Sequence, residues 1–151
     1  MPRRMLPLLV CLVVACGDNG PDLESQRRWR LTGANGLPLP APGNATGGES
    51  WVAGILELTG ETGTFDRCMR SGSSSDLFRR PTTFVVHPIA GDTIELSYFD
   101  RRGPEPDTAS ITDGELTLRY RNVINGEVQG VDVLVFIPQP GAPADACSLV
   151  P

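Results

Sequence analysis

The run TIELSY, Thr93 to Tyr98, places Ile94, Leu96 and Tyr98 on one side of an extended chain and Thr93, Glu95 and Ser97 on the other. A period of two marks a half-buried β-strand, because successive side chains leave opposite faces of the pleat. The run ELTLRYR, Glu115 to Arg121, repeats the pattern with Leu116, Leu118 and Tyr120 opposite Thr117, Arg119 and Arg121. Upstream, Trp51 to Leu58 leads through Thr59-Gly60-Glu61 into Thr62 to Arg70, which predicts a hairpin. Thr82 to His87 is rich in β-branched and aromatic residues and lies between Pro81 and Pro88, with Gly91-Asp92 turning it into the Thr93 run. Val128 to Ile137 is more uniformly apolar, with Val131, Val133 and Val135 opposite Asp132, Leu134 and Phe136, and Val133 and Val135 are assigned to the interior.

Between these runs the chain reads as turns and loops. Trp29 to Thr32 begins the first strand, and Leu37 to Pro40 continues it after the turn signal Asn35-Gly36. Residues 41–50, with four glycine or proline positions, and 71–80, with three consecutive serines, are expected to be loops. The polar stretch 100–113 has room for a short edge strand near Ala109 to Ile111. No window beyond the first residues carries a helical stripe. Seven or eight strands joined mostly by tight turns predict an all-β domain, a small antiparallel up-and-down barrel of about eight strands, with a β-sandwich as the alternative. Closure also removes exposed sheet edges. The inward set, forming either a core or a ligand pocket, is Leu56, Leu58, Phe65, Ile94, Leu96, Tyr98, Leu116, Leu118, Val133 and Val135.

A chain of 151 residues with 40% hydrophobic residues supports one domain with a real core and not two. All 13 of its basic residues are arginine, set against 18 acids, and the net charge of -5 disfavours a generic grip on nucleic acid. Arg3 and Arg4 precede the apolar run Leu6 to Ala15, which has the layout of an export signal. As a helix that run would cover about 15 Å, half of a hydrocarbon layer, so it is too short for a permanent span.

The run ends in Val13-Val14-Ala15-Cys16, which resembles the lipobox of bacterial lipoproteins. That resemblance implies cleavage before Cys16, acyl chains on its thiol and amine, and stable anchoring by more than one chain. Residues 1–15 would then be a signal peptide, and 16–28 a lipidated terminus and solvated tether. Residues 29–137 would form the barrel, and 138–151 a Pro-rich tail. Cys11 leaves with the signal. Gly17 after the acylated cysteine implies passage to the outer membrane. The implied partner is the lipid bilayer through Cys16, and the location is the cell envelope. The mature body of 136 residues, with 11 arginines against 18 acids, has no charge-based attraction to anionic headgroups.

Five further segments, WRLTGANGLPLP from Trp29, AGILELTGETGTF from Ala53, GDTIELSYFD, DGELTLRY and a final VLVF, resemble the small lipocalin-like or META-like domains of bacterial lipoproteins. The likeness spans Trp29 to Phe136, and Trp29, Gly54, Leu56, Leu58, Gly63, Phe65, Ile94 and Leu96 fall on its architectural positions. None of them is a catalytic signature. The usual second Gly-Thr-Tyr strand start is replaced here by Pro81-Thr82-Thr83-Phe84 after a longer loop.

With Cys16 acylated and Cys11 removed, Cys68 and Cys147 remain, and in an oxidising compartment they are expected to form a disulfide that ties down the tail; two free thiols are the alternative. No Cys-x-x-Cys spacing supports redox exchange. His87 has no second histidine or cysteine to complete a zinc site, and Asp66, Asp92 and Asp100 would need the fold to gather them around it. No Gly-x-Ser-x-Gly element is present. Arg79-Arg80 and Arg101-Arg102 are expected to form local ion pairs with Asp76, Asp100 and Glu105, recognition of an anion being the sharper alternative. Asp18 to Asp22 lacks the later ligands of a calcium loop, and Asn44-Ala45-Thr46 is an unused glycosylation pattern. The expectation is a non-enzymatic structural or interaction module without cofactor or metal, its partner an envelope protein. A carrier of a small hydrophobic ligand inside the barrel is the alternative.

Overall fold

The computed structural model describes residues 28–44, 48–72, 74–99, 105–141 and 145–151. In chain order the strands are β1 (Arg28–Ala34), β2 (Leu37–Pro38), β3 (Ala41–Pro42), β4 (Ser50–Thr59), β5 (Thr62–Arg70), β6 (Leu77–Ala90), β7 (Thr93–Tyr98), β8 (Asp107–Thr112), β9 (Glu115–Ile124) and β10 (Glu127–Pro138). A 3-10 turn, Cys147–Leu149, follows. From β4 to β10 each strand pairs antiparallel with the next. Strand β1 closes the cylinder by pairing with β10 on one side and β4 on the other, where Trp29 lies opposite Leu56. The domain is therefore a closed eight-stranded up-and-down barrel, and the sandwich alternative is excluded by the β1–β4 ladder. The short β2 and β3 are additions along the path from β1 to β4.

Turn chemistry explains why the meander forms. Asn35-Gly36, Asp113-Gly114 and Asn125-Gly126 all have positive φ at both positions, the two-residue turn whose twist matches antiparallel strands. Asparagine and aspartate tolerate that region, and glycine meets no steric penalty in it. The turns at 35–36 and 125–126 lie at one end of the barrel, here called distal. Those at 60–61, 91–92 and 113–114 lie at the proximal end, where the chain enters at Arg28 and leaves at Pro138.

Two expected loops contain strand. Residues 77–80 extend β6, which runs through both Pro81 and Pro88 instead of stopping at them. The prolines are tolerated because each lies where β6 has a single neighbour. Pairing with β7 ends at Phe84↔Tyr98, short of Pro81, and pairing with β5 ends at Thr62↔Val85, short of Pro88. The Thr83 carbonyl accepts from the β7 side and the Val86 N–H donates to the β5 side, so by alternation each proline nitrogen points away from its one partner. Within the other expected loop, Ala41–Pro42 pairs with Trp51 and Ser50, and Ala41 is buried.

The interior is filled by side chains. Trp51, Phe65, Phe84, Phe136, Leu56, Leu58, Ile94, Leu96, Leu116, Leu118 and Leu134 are all below 2% exposed. Phe65 stacks on Trp51 at 5.9 Å and meets the edges of Tyr120 and Phe136 at 5.9 and 5.6 Å, so an aromatic column runs down the axis. Such pairs each add about 0.5–1.5 kcal/mol beyond the area they bury. Tyr98 is half-buried and packs edge-on to Phe84 and Tyr120.

Strand β10 corrects the sequence assignment. Val133 and Val135 are outward and half-buried, whereas Asp132, Leu134 and Phe136 face the core. The partner strand decides this: Tyr120, Leu118 and Leu116 of β9 lie opposite Asp132, Leu134 and Phe136, and directly opposed residues share a face. With both faces of β10 apolar, periodicity alone has no preference, and the aspartate weighs toward the wrong one.

The C-terminal tail packs outside the barrel. Cys68 and Cys147 are bonded, their Cα atoms 5.0 Å apart, and Ala146 is buried against Ala53, Ile55 and Cys68 on the outer face of β4 and β5. The Ala146 N–H donates to Asp66 Oδ2 at 2.9 Å, and Arg79 Nε donates to both oxygens of the same carboxylate. That hydrogen bond, more than charge alone, raises the Arg79 guanidinium above its ordinary value, against a smaller desolvation effect.

Candidate functional site

Among the described residues, two places gather polar side chains into a candidate site, the distal mouth and a groove on the outer wall. At the mouth, Asp132 projects inward at the level of Tyr120 and is 1% exposed. Its Oδ1 accepts from Asn35 Nδ2 at 2.7 Å and the Asn44 backbone N–H at 2.8 Å. Its Oδ2 accepts from Trp51 Nε1 and Asn122 Nδ2, both at 2.9 Å. One carboxylate thus gathers the β1–β2 turn, the segment after β3, and strands β4 and β9 onto β10. Hydrogen bonding of this density satisfies a charge that would otherwise be costly to bury. Gly130 permits the closeness, since a Cβ there would stand 2.4 Å from the Asn44 carbonyl oxygen.

Arg67 is the mouth's second polar element, and sequence reasoning missed it. Its position alternates with Phe65 and Met69, so it faces inward on β5. Its guanidinium donates to the Tyr120 and Thr82 hydroxyls, and its Nε to the Arg80 carbonyl at 3.1 Å. It also lies 5.7 and 5.4 Å from the Phe65 and Tyr120 ring centroids. The cation is held by neutral oxygens and ring faces and closes the apolar column from above. Beside it Arg80 lies 4.6 Å over Phe78 and pairs with Glu49 at 3.0 Å. The mouth is thus occupied by its own side chains, and its chemistry is that of a fastener.

The outer groove is different in kind. It has a volume of about 530 Å³ and lies where β4, β5 and β6 run side by side near the proximal end. Register sets Glu57, Thr64 and Thr83 in one row across the three strands and Thr59 beside Thr62 in the next. The four threonines are exposed. Phe99, the residue after β7, forms the opposite wall and is 72% exposed; its N–H donates to the Thr83 carbonyl at 3.4 Å. Gly63 and Phe84 also line the groove, and a Cβ on Gly63 would stand 2.4 Å from the Phe84 ring, so glycine is required for this floor to close. Glu57 pairs with Arg28 Nη2 at 2.8 Å.

Neither protein-family models, nor curated proteins, nor solved structures give a match to this chain. The groove is therefore read from its own atoms. It offers hydroxyls, one carboxylate already paired, and one exposed ring.

The remaining sequence candidates are not brought together. His87 is exposed on β6 opposite Glu95, while Asp66 is committed to Arg79 and Ala146. Arg79 and Arg80 pair with Asp66 and Glu49 and not with Asp76, because the β5–β6 register and the residue just before β4 bring those acids closer than chain proximity does. Glu105 pairs with Arg121, which also binds the buried Asp107. The Asn44 amide donates to the Val131 carbonyl at 2.8 Å. Cys11, Cys16, Asp18 to Asp22, Asp100, Arg101 and Arg102 lie outside the described residues. Among the described residues, no helix is long and apolar enough to cross a membrane and no three His, Cys, Asp or Glu side chains come together.

Proposed function

We propose that the chain is a lipoprotein of the bacterial envelope, anchored through acylated Cys16, whose lipocalin-like or META-like barrel is a non-enzymatic module that makes its contacts from the outside. The observation that supports an outward-working module is the filled axis. Eleven large side chains below 2% exposed occupy the space in which a carrier would hold its cargo. A small eight-stranded barrel either packs its centre or leaves room for one ligand, and the Trp51–Phe65–Phe136 column favours the former over the carrier reading. The tether is supported by the sequence Val13 to Cys16 and by where the chain enters the body, at one end of the barrel.

Expression of the full chain with labelled palmitate tests the anchor. The natural sequence is expected to label and to sediment with membranes, and Cys16→Ala to lose both properties while the body folds unchanged. A Cys16→Ala variant that still labels and still sediments contradicts the anchor.

A further inference from the structure

We propose that the groove between the threonine rows and Phe99 is a binding site for an uncharged saccharide. This rests on the outward-working module proposed above and names the class of ligand it would take. The chemistry of the walls narrows the choice. Among the described residues, an anionic ligand finds no free cation there, since the groove's titratable side chain is Glu57 and Arg28 is already paired with it. A lipid chain finds a rim of hydroxyls where it needs an apolar trough. A sugar ring has an apolar face of C–H groups that packs on an aromatic ring, and a periphery of hydroxyls that both donate and accept. Phe99 supplies an exposed ring, and threonine hydroxyls in adjacent register supply donors and acceptors at the spacing of neighbouring strands, about 4.8 Å. Thr64 and Thr83 stand on strands paired within the sheet, and their hydroxyls form no hydrogen bond with another described residue, so the cost of ordering the site on binding is small. The volume, about 530 Å³, lies in the range of small-molecule sites.

The test is a titration of the full-length lipidated chain, held in a zwitterionic detergent without a sugar headgroup, with maltotetraose and with chitotetraose as probes. Threonine methyl and phenylalanine ring resonances are followed by NMR. The proposal expects saturable millimolar shifts at Thr64, Thr83 and Phe99 with at least one of the two saccharides. Phe99→Ala is expected to weaken that binding about tenfold, the equivalent of losing one stacking contact. The double variant Thr64→Val, Thr83→Val keeps side-chain volume while deleting both hydroxyls and is expected to weaken it to a similar degree. No shift with either saccharide, shifts that survive Phe99→Ala, or shifts produced at the same residues by decanoate alone overturn the assignment. Each of those results leaves the sedimentation and labelling of the Cys16→Ala comparison untouched, so failure of the saccharide site is distinguishable from failure of the tethered module.

Discussion

A chain in which Cys68 and Cys147 are both changed to serine is expected to unfold at markedly lower denaturant than the natural sequence, with a loss of about 4.5 kcal/mol on the chain-entropy estimate. The bond joins residues 79 apart in sequence, so in the unfolded ensemble it ties together more than half of the 151-residue chain. Its effect in the folded state is also local. Ala146 is wholly buried against Ala53 and Ile55, and its N–H completes the Asp66 site. Releasing the tail returns that apolar face of β4 to water and leaves Asp66 with Arg79 alone. In a domain of this size the loss corresponds to a fall in melting temperature on the order of 15 °C. Urea titration of the oxidised and double-serine proteins, followed by far-ultraviolet circular dichroism, checks the result. Coincident unfolding curves would contradict both the bond and the docking of the tail.

The second large effect falls on Asp132. Changing it to alanine leaves two asparagine side chains, an indole N–H and a backbone N–H facing a void in the mouth of the barrel, and is expected to cost about 3–5 kcal/mol. Asp132→Asn is the sharper probe because it keeps the shape. It replaces one acceptor oxygen by a donor that must face another donor, and its expected cost is about 2 kcal/mol. The Trp51 indole N–H resonance should move in both variants, since that N–H donates to Asp132 Oδ2. A loss below about 1 kcal/mol for the alanine variant would mean that the carboxylate is not the fastener described here.

What was legible in the sequence follows from what period two can and cannot resolve. Strands with one polar and one apolar face, such as β7 and the inner part of β9, display their orientation directly, and Leu56, Leu58, Phe65, Ile94, Leu96, Leu116 and Leu118 all lie inside as read. The Asn-Gly and Asp-Gly turns likewise carry their own geometry. Strand β10 does not, because both faces are apolar and its orientation is inherited from β9. The prolines of β6 mislead for a related reason: proline breaks a strand only where a neighbour needs its N–H, and which neighbour ends where is a property of the whole sheet.

The Asp132 site was hidden by distance along the chain. Its donors lie up to 97 residues away, and only closure between β1 and β10 assembles them. Arg67 was within reach, since its alternation with Phe65 and Met69 marks it as inward. The expectation that an arginine faces water concealed it. The groove had no sequence signal beyond exposed threonines, which any outward face supplies; register makes it a site.

Native mass spectrometry of the full chain, released from a detergent that is then removed in the gas phase, tests most directly whether the interior belongs to the protein alone. The filled barrel predicts a single species at the covalent mass of the oxidised polypeptide, with nothing else retained at gentle activation. A stoichiometric additional mass that survives removal of detergent, and that is lost only when the barrel unfolds, would show a guest inside and contradict it.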